Sequence, residues 1–298
     1  MAAVRPPTQY FGAKGRLAPW IASLLPPHRT YVEAFAGSAA VLFAKPPSPT
    51  EILNDADGDL VCFFRVLRER GSELARALAL TPYARAELRA ACLDQPGLDE
   101  LERARRVFVR LNMSISRTLG RQRGFAAAFN TNGADHAHKF ASLVDQLQAT
   151  ATRLRRVILE DRPALEVIAK YGAANAVIYC DPPYLDSTRS AQAKRRGADY
   201  ACEYATEAEH RELARALHAT PAAVLVSGYP SPLYERLYAG WWRLQRTVDK
   251  PSSLVSGGHA TQAVEVVWSN RPLAIQLDLL DHRTGTVPID IPPQEATS

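Results

Sequence analysis

Residues 176–180, Ala-Val-Ile-Tyr-Cys, run directly into Asp181-Pro182-Pro183-Tyr184, and this junction constrains the fold most. A short, apolar, β-prone run reads as a strand. Two consecutive prolines fix φ and remove two amide donors, so the strand ends in a stiff turn whose carbonyls are free to accept hydrogen bonds. In an open α/β sheet, ligands bind beyond the carboxyl ends of strands, which is where this tetrapeptide falls. A carboxylate, a fixed carbonyl and an aromatic ring together suit a planar base with an exocyclic amine. The two acceptors take the amine's protons and the ring stacks on the base.

The rest of the chain supplies a sheet for that strand. Residues 31–35 read as a strand, 36–38 as a turn and 39–44 as a helix stopped by Lys45-Pro46-Pro47. Residues 51–54 read as a second strand. Residues 55–70 follow as a helix, with Leu60, Phe63, Phe64 and Leu67 at helical spacing, ending at Gly71. Strands return at 157–159 and 223–226. A closing hairpin pairs 242–248 with 263–268, and helices are expected at 163–171 and 207–218. Alternating strands and helices predict a doubly wound, Rossmann-like α/β sheet, largely parallel. Between 72 and 152 strand signals fade and Ala, Leu, Glu and Arg dominate, which reads as a mostly helical insertion. The expected division is a sheet domain from 1–71 and 153–280, the insertion 72–152, and a frayed tail 281–298.

The 298 residues are 47% hydrophobic and 22% charged, enough apolar material for a sizeable core without a disulfide or metal staple. Cys62, Cys92, Cys180 and Cys202 form no CxxC pair and read as thiols of a reducing compartment. A formal charge of +5 permits a polyanionic partner. No apolar run approaches the roughly 20 residues of a membrane span, and residues 1–10 hold no signal-like apolar region. A cytoplasmic protein is expected.

Four further segments fall where a nucleotide-like ligand would lie. Glu33-Ala34-Phe35-Ala36-Gly37-Ser38-Ala39 forms the first strand-to-helix turn, where a glycine allows close backbone approach. Asn54-Asp55-Ala56-Asp57 ends the second strand. An acid there suits ribose hydroxyls, and an Asp at that point equally caps the next helix. Glu160-Asp161 follows the third strand. Gln9-Tyr10-Phe11-Gly12-Ala13-Lys14-Gly15 is not a P-loop; Lys14 can reach a carboxylate or phosphate, but by itself the segment reads as a solvated lysine.

In this order, these segments resemble the amino-group DNA methyltransferases, in particular the Dam-like N(6)-adenine-specific family of bacteria and phages. Asp181 to Tyr184 matches the family's catalytic motif without change. Tyr10 to Gly15 resembles its N-terminal cofactor motif, 33–39 its F-x-G turn, Asp55 its ribose acid, Asp161 its adenine-side acid, and 264–270 its closing strand. The chain departs at Ala34 (usually Pro), at Ala39 (often Gly) and at Ser227-Gly228-Tyr229 (usually Ser-Asn). Residues 111–114 and 124–130 resemble the family's recognition stretches only loosely.

The resemblance implies S-adenosylmethionine as cofactor, held by Tyr10, Phe11, Lys14, Glu33, Phe35, Gly37, Asp55 and Asp161. No metal is expected, because the sulfonium already activates the methyl group. Asp181, Pro182, Pro183 and Tyr184 would act on an adenine flipped out of double-stranded DNA. Arg117, Arg121, Arg123 and Arg189 are the expected DNA contacts. Arg103, Arg105, Arg106 and Arg110 serve equally well as a solvated helix face, and His210 reads as a structural histidine. The resemblance also allows a cognate restriction endonuclease as partner to a monomeric enzyme. Cytosine N(4), an RNA base, a small-molecule acceptor and a catalytically silent DNA-binding protein remain alternatives.

Overall fold

The computed structural model of the chain describes residues 4–8, 14–115, 124–126, 135–183, 206–249 and 262–273. Its centre is a seven-stranded sheet of order β3-β2-β1-β4-β5-β7-β6. The strands are β1 (Thr30–Glu33), β2 (Thr50–Asn54), β3 (Val157–Glu160), β4 (Ala176–Cys180), β5 (Ala223–Gly228), β6 (Trp242–Asp249) and β7 (Gln262–Ser269). The first five are parallel, and β7 lies antiparallel to both β5 and β6. The chain builds outward from β1 through β2 to β3, then returns to place β4 on the other side of β1. That reversal is the topological switch point, and β4 with its Asp-Pro-Pro turn borders it.

Every residue of β4 is buried, as are the last three of β1 and the last four of β2. Such continuous burial belongs to parallel strands covered on both faces. Alternation divides the side chains. Tyr31, Leu53, Tyr179, Leu225 and Val267 enter one core, with the helices Ala18–Ser23, Ala40–Ala44 and Gly58–Glu69. Val32, Ile52, Ile178, Val224, Val226 and Trp268 enter the other, with Ala164–Tyr171, Glu207–Ala219 and Pro232–Leu237. The helices Gly71–Ala79, Arg85–Ala91, Glu100–Met113, His136–Asp145 and Leu147–Leu154 continue the first core. Side-chain caps start several helices. Asp57 accepts from the amides of Asp59 and Leu60, Asp99 from Glu102, and Thr206 forms a capping box with Glu209.

Two local expectations need correction. Gly71 does not stop a helix. The helix ends at Glu69, and Gly71 opens the next one. A Cβ at Gly71 would lie 3.0 Å from Ala151 Cβ, so the glycine serves the close approach of the helix Leu147–Leu154. Ala39 does not begin the helix after the first turn. It sits just before it at φ 55°, ψ 34°, in the left-handed region. The conformation that glycine adopts freely is imposed here on a buried alanine, at a cost of about 1 kcal/mol.

Candidate active site

The polar groups gather at the carboxyl ends of the parallel strands. Asn54 ties three of these ends together. Its amide donates to the carbonyls of Ala34 and Arg162, both at 3.0 Å, and its Oδ1 accepts from the Arg162 amide at 3.0 Å. The next residue, Asp55, holds the glycine turn. Gly37 N–H, from a residue at φ 47°, donates to Asp55 Oδ2 at 2.9 Å, and Asp57 N–H donates to Oδ1 at 3.0 Å. Burial raises the Asp55 carboxyl to about 6, even though these amides favour its charged form. The Ala36 amide also acts on this carboxylate, and since a carboxylate has about four acceptor positions, these amides leave room for a further donor.

Glu33, at the end of β1, lies beneath the turn. Its Oε2 accepts from the Tyr31 hydroxyl at 2.9 Å and from Leu42 N–H at 3.0 Å, anchoring the short helix Ala40–Ala44. Burial pushes its carboxyl up to about 8. Phe35 is partly buried against the second core. At the end of β3 the two acids separate. Glu160 is engaged by Lys170, Tyr171 and Arg162, and hydrogen bonding from Lys170, then Tyr171, holds it below the usual carboxylate range. Asp161 is exposed to solvent and makes no hydrogen bond among the described residues.

Asp181 follows β4 beside the switch point. Lys14 Nζ lies 2.9 Å from its Oδ1 and 2.9 Å from Glu265 Oε1, and the lysine side chain is only 5% exposed. The Ser227 hydroxyl donates to the same Oδ1 at 3.0 Å, and the Tyr179 hydroxyl lies 2.8 Å from Ser227 Oγ. Asp181 Oδ2 has no hydrogen-bond partner among the described residues, and its side chain keeps 21% of its surface open. Pro182 is buried and Pro183 partly so.

The structure therefore brings Lys14 to the carboxylate of Asp181, and Gly37 to Asp55. Tyr179, Glu265 and the Ser227 hydroxyl join this site without standing out as site residues in the sequence. Two signals were available. Tyr179 precedes Asp181 by the two-residue period of a strand, and Glu265 is the lone acid in the apolar run of β7. Tyr10, Phe11, Tyr184, Arg117, Arg121, Arg123 and Arg189 lie outside the described residues.

The other arginines of the 103–110 stretch are ion-paired. Arg103 and Arg110 bind Asp59, Arg105 binds Glu87 and Glu102, and Arg106 binds Glu102. They brace the helix Glu100–Met113 against its neighbours. His210 is buried, with its Nδ1 3.0 Å from the Tyr234 hydroxyl.

A strand order with an antiparallel β7 inserted beside β5, and an Asp-Pro-Pro turn at the switch point, define a Rossmann-like methyltransferase fold. The model of the D12 class N6 adenine-specific DNA methyltransferase family matches residues 10–246. The chain belongs to that family and is an enzyme of it. Comparison with curated proteins finds no match. Among the described residues no helix is long and apolar enough to cross a membrane.

Proposed function

We propose that the chain moves a methyl group from S-adenosylmethionine to N6 of an adenine flipped out of duplex DNA. The observation that carries this reading is the half-committed carboxylate of Asp181. Its Oδ1 is held by Lys14 and Ser227, and among the described residues nothing donates to its Oδ2, which we assign to a donor from outside.

The donor set at the strand ends fits the cofactor. Asp55 retains acceptor capacity for a ribose diol at the end of β2, and exposed Asp161 offers an acceptor for an adenine amine at the end of β3. Phe35 lends apolar surface, and Gly37 with Glu33 holds the turn between them. Tyr10 and Phe11 complete the set on the strength of the family resemblance. S-adenosylmethionine supplies a methyl group already activated by its sulfonium.

The acceptor nitrogen is a poor nucleophile, because its lone pair is conjugated into the ring. Asp181 Oδ2 and the Pro182 carbonyl accept its two N–H bonds, draw the nitrogen toward a tetrahedral shape and turn its lone pair outward. Tyr184 stacks on the base, and Pro183 stiffens the turn. This is orientation and electrostatic stabilisation, with no covalent enzyme intermediate. An amine stacked in a duplex cannot reach these groups, so the base must leave the helix.

In this reading residues 72–152 recognise the target on a catalytic body formed by 1–71 and 153–280. Arg117, Arg121, Arg123 and Arg189 contact the DNA, since Arg103, Arg105, Arg106 and Arg110 are already paired within the fold. The enzyme works as a cytoplasmic monomer, and a cognate restriction endonuclease is compatible with this role.

Incubation with radiolabelled S-adenosylmethionine and unmethylated duplex DNA, followed by nucleoside chromatography, tests the proposal. Label is expected in N6-methyladenine and is expected to vanish in Asp181→Ala. Label in N4-methylcytosine overturns the choice of base. Cofactor binding with no label in DNA overturns the choice of substrate.

A further inference from the structure

Asp181 is held by a chain of hydroxyl groups that ends deep in the sheet. One step beyond the paired residues Cys180 and Val226 come Asp181 and Ser227, on adjacent parallel strands. The two-residue period places Tyr179 on the same face as Asp181. The Ser227 hydroxyl has one hydrogen, and its bond to the carboxylate uses it, because an ionised carboxylate only accepts. Tyr179 must then donate to Ser227. Burial holds the Tyr179 phenol well above its ordinary pKa, so it remains a donor throughout the working pH range.

Both Ser227 and Lys14 reach the same oxygen, and Lys14 is itself held by Glu265. An oxygen of a carboxylate offers about two acceptor directions. Two donors on Oδ1 fill them and resist rotation of the carboxylate about its terminal bond. Among the described residues, nothing occupies the two directions of Oδ2.

We infer that Ser227, backed by Tyr179, is a positioning residue that dedicates Asp181 Oδ2 to the substrate amine. The inference rests on the methylation reading above. It gives a purpose to two buried hydroxyls that the hydrophobic core does not need, Tyr179 being 1% exposed and Ser227 fully buried.

The test is single-turnover methyl transfer at saturating duplex DNA and S-adenosylmethionine, with the affinity for each measured in parallel. Ser227→Ala is expected to slow transfer roughly 10- to 100-fold, within the range for lost orientation, while both affinities change less than about twofold. Ser227→Thr, which keeps the hydroxyl, is expected to restore most of the rate. Tyr179→Phe is expected to slow transfer by less than Ser227→Ala. The double variant is expected to be no slower than Ser227→Ala alone, because Tyr179 acts only through Ser227. A wild-type rate in Ser227→Ala, or multiplying effects in the double variant, overturns the inference. If Ser227→Ala does not fold, Tyr179→Phe decides, and an unchanged rate in that variant overturns it. A wild-type chain that labels no adenine instead brings down the methylation reading, and this inference with it.

Discussion

One face of the sheet carries two buried lysine–carboxylate clusters, one at each end, and they are built to opposite purposes. At the amino end of β2, Glu51 is 1% exposed and accepts four hydrogen bonds. Lys45 Nζ donates at 2.6 Å, Arg153 forks onto both oxygens at 2.5 and 2.8 Å, and Ser48 N–H donates at 3.0 Å. Burial pushes its carboxyl up, but the bonds from Arg153 and Lys45 outweigh this and hold it below its usual range. Arg153 belongs to the helix Leu147–Leu154, so this cluster fastens that helix to the sheet. At the carboxyl end, Asp181 accepts on one oxygen only among the described residues and stays partly open. A buried charge with both oxygens engaged is a brace. A charge with one oxygen held and the other left over is prepared for a substrate.

The comparison can be broken by disturbing each part. Glu51→Ala leaves Lys45 and Arg153 without their carboxylate, and loss of one partner from a buried ion pair costs about 3–5 kcal/mol. Urea unfolding should show that loss, while the folded fraction keeps its rate of methyl transfer.

Glu33 gives a smaller effect that depends on pH. The folded chain holds its proton up to about 8, whereas an unfolded chain releases it near the ordinary value of 4.5. The folded state therefore binds more protons across that window, and stability falls as pH rises through it. Glu33→Gln removes the titration, so its stability relative to the wild type should rise steadily from pH 4.5 to pH 8. Melting across that range checks both ends.

Asp55 reports on the cofactor side. Its carboxyl, at about 6, is the acceptor assigned to the ribose. Affinity for S-adenosylmethionine should weaken about tenfold for each pH unit below that value. Asp55→Asn should flatten the profile. Calorimetric titration from pH 5 to 8 measures this, and an unchanged slope in the variant would remove Asp55 from the ribose site. The smallest effect concerns Ala39. Ala39→Gly should relieve its left-handed strain and stabilise the chain by up to about 1 kcal/mol, less the entropy a glycine adds to the unfolded state.

How far the sequence discloses all this depends on the range of each interaction. The strand of 176–180 and an Asp cap for the helix after β2, from Asp55 or Asp57, are written in neighbouring residues and read correctly, as does the antiparallel pairing of 242–248 with 263–268. Lys14 reads as able to reach a carboxylate or phosphate, and by itself as a solvated lysine. Which carboxylate it meets was not legible, because Lys14, Asp181 and Glu265 come together only when β7 is threaded beside β5. Ser227 and Asp181 are 46 positions apart and become neighbours through strand register alone. Gly71 misled because a helix stop and a helix-packing contact select the same residue, and only the approach of Ala151 separates them. The arginines of 103–110 were ambiguous for a related reason. Whether an arginine faces solvent or an acid of another helix is a tertiary fact, and Asp59 and Glu87 supply the acids.

The most direct test of the contrast between the two clusters is the single-turnover rate of Asp181→Asn, read beside its melting curve. The variant keeps the shape of the side chain and loses the carboxylate. Transfer to adenine should fall by about 10²–10³, the range for loss of one preorganised electrostatic group, with the melting temperature close to that of the wild type. A variant that still transfers methyl at the wild-type rate, or one that loses activity only because it unfolds, would contradict the assignment of Asp181 as the open, substrate-facing carboxylate.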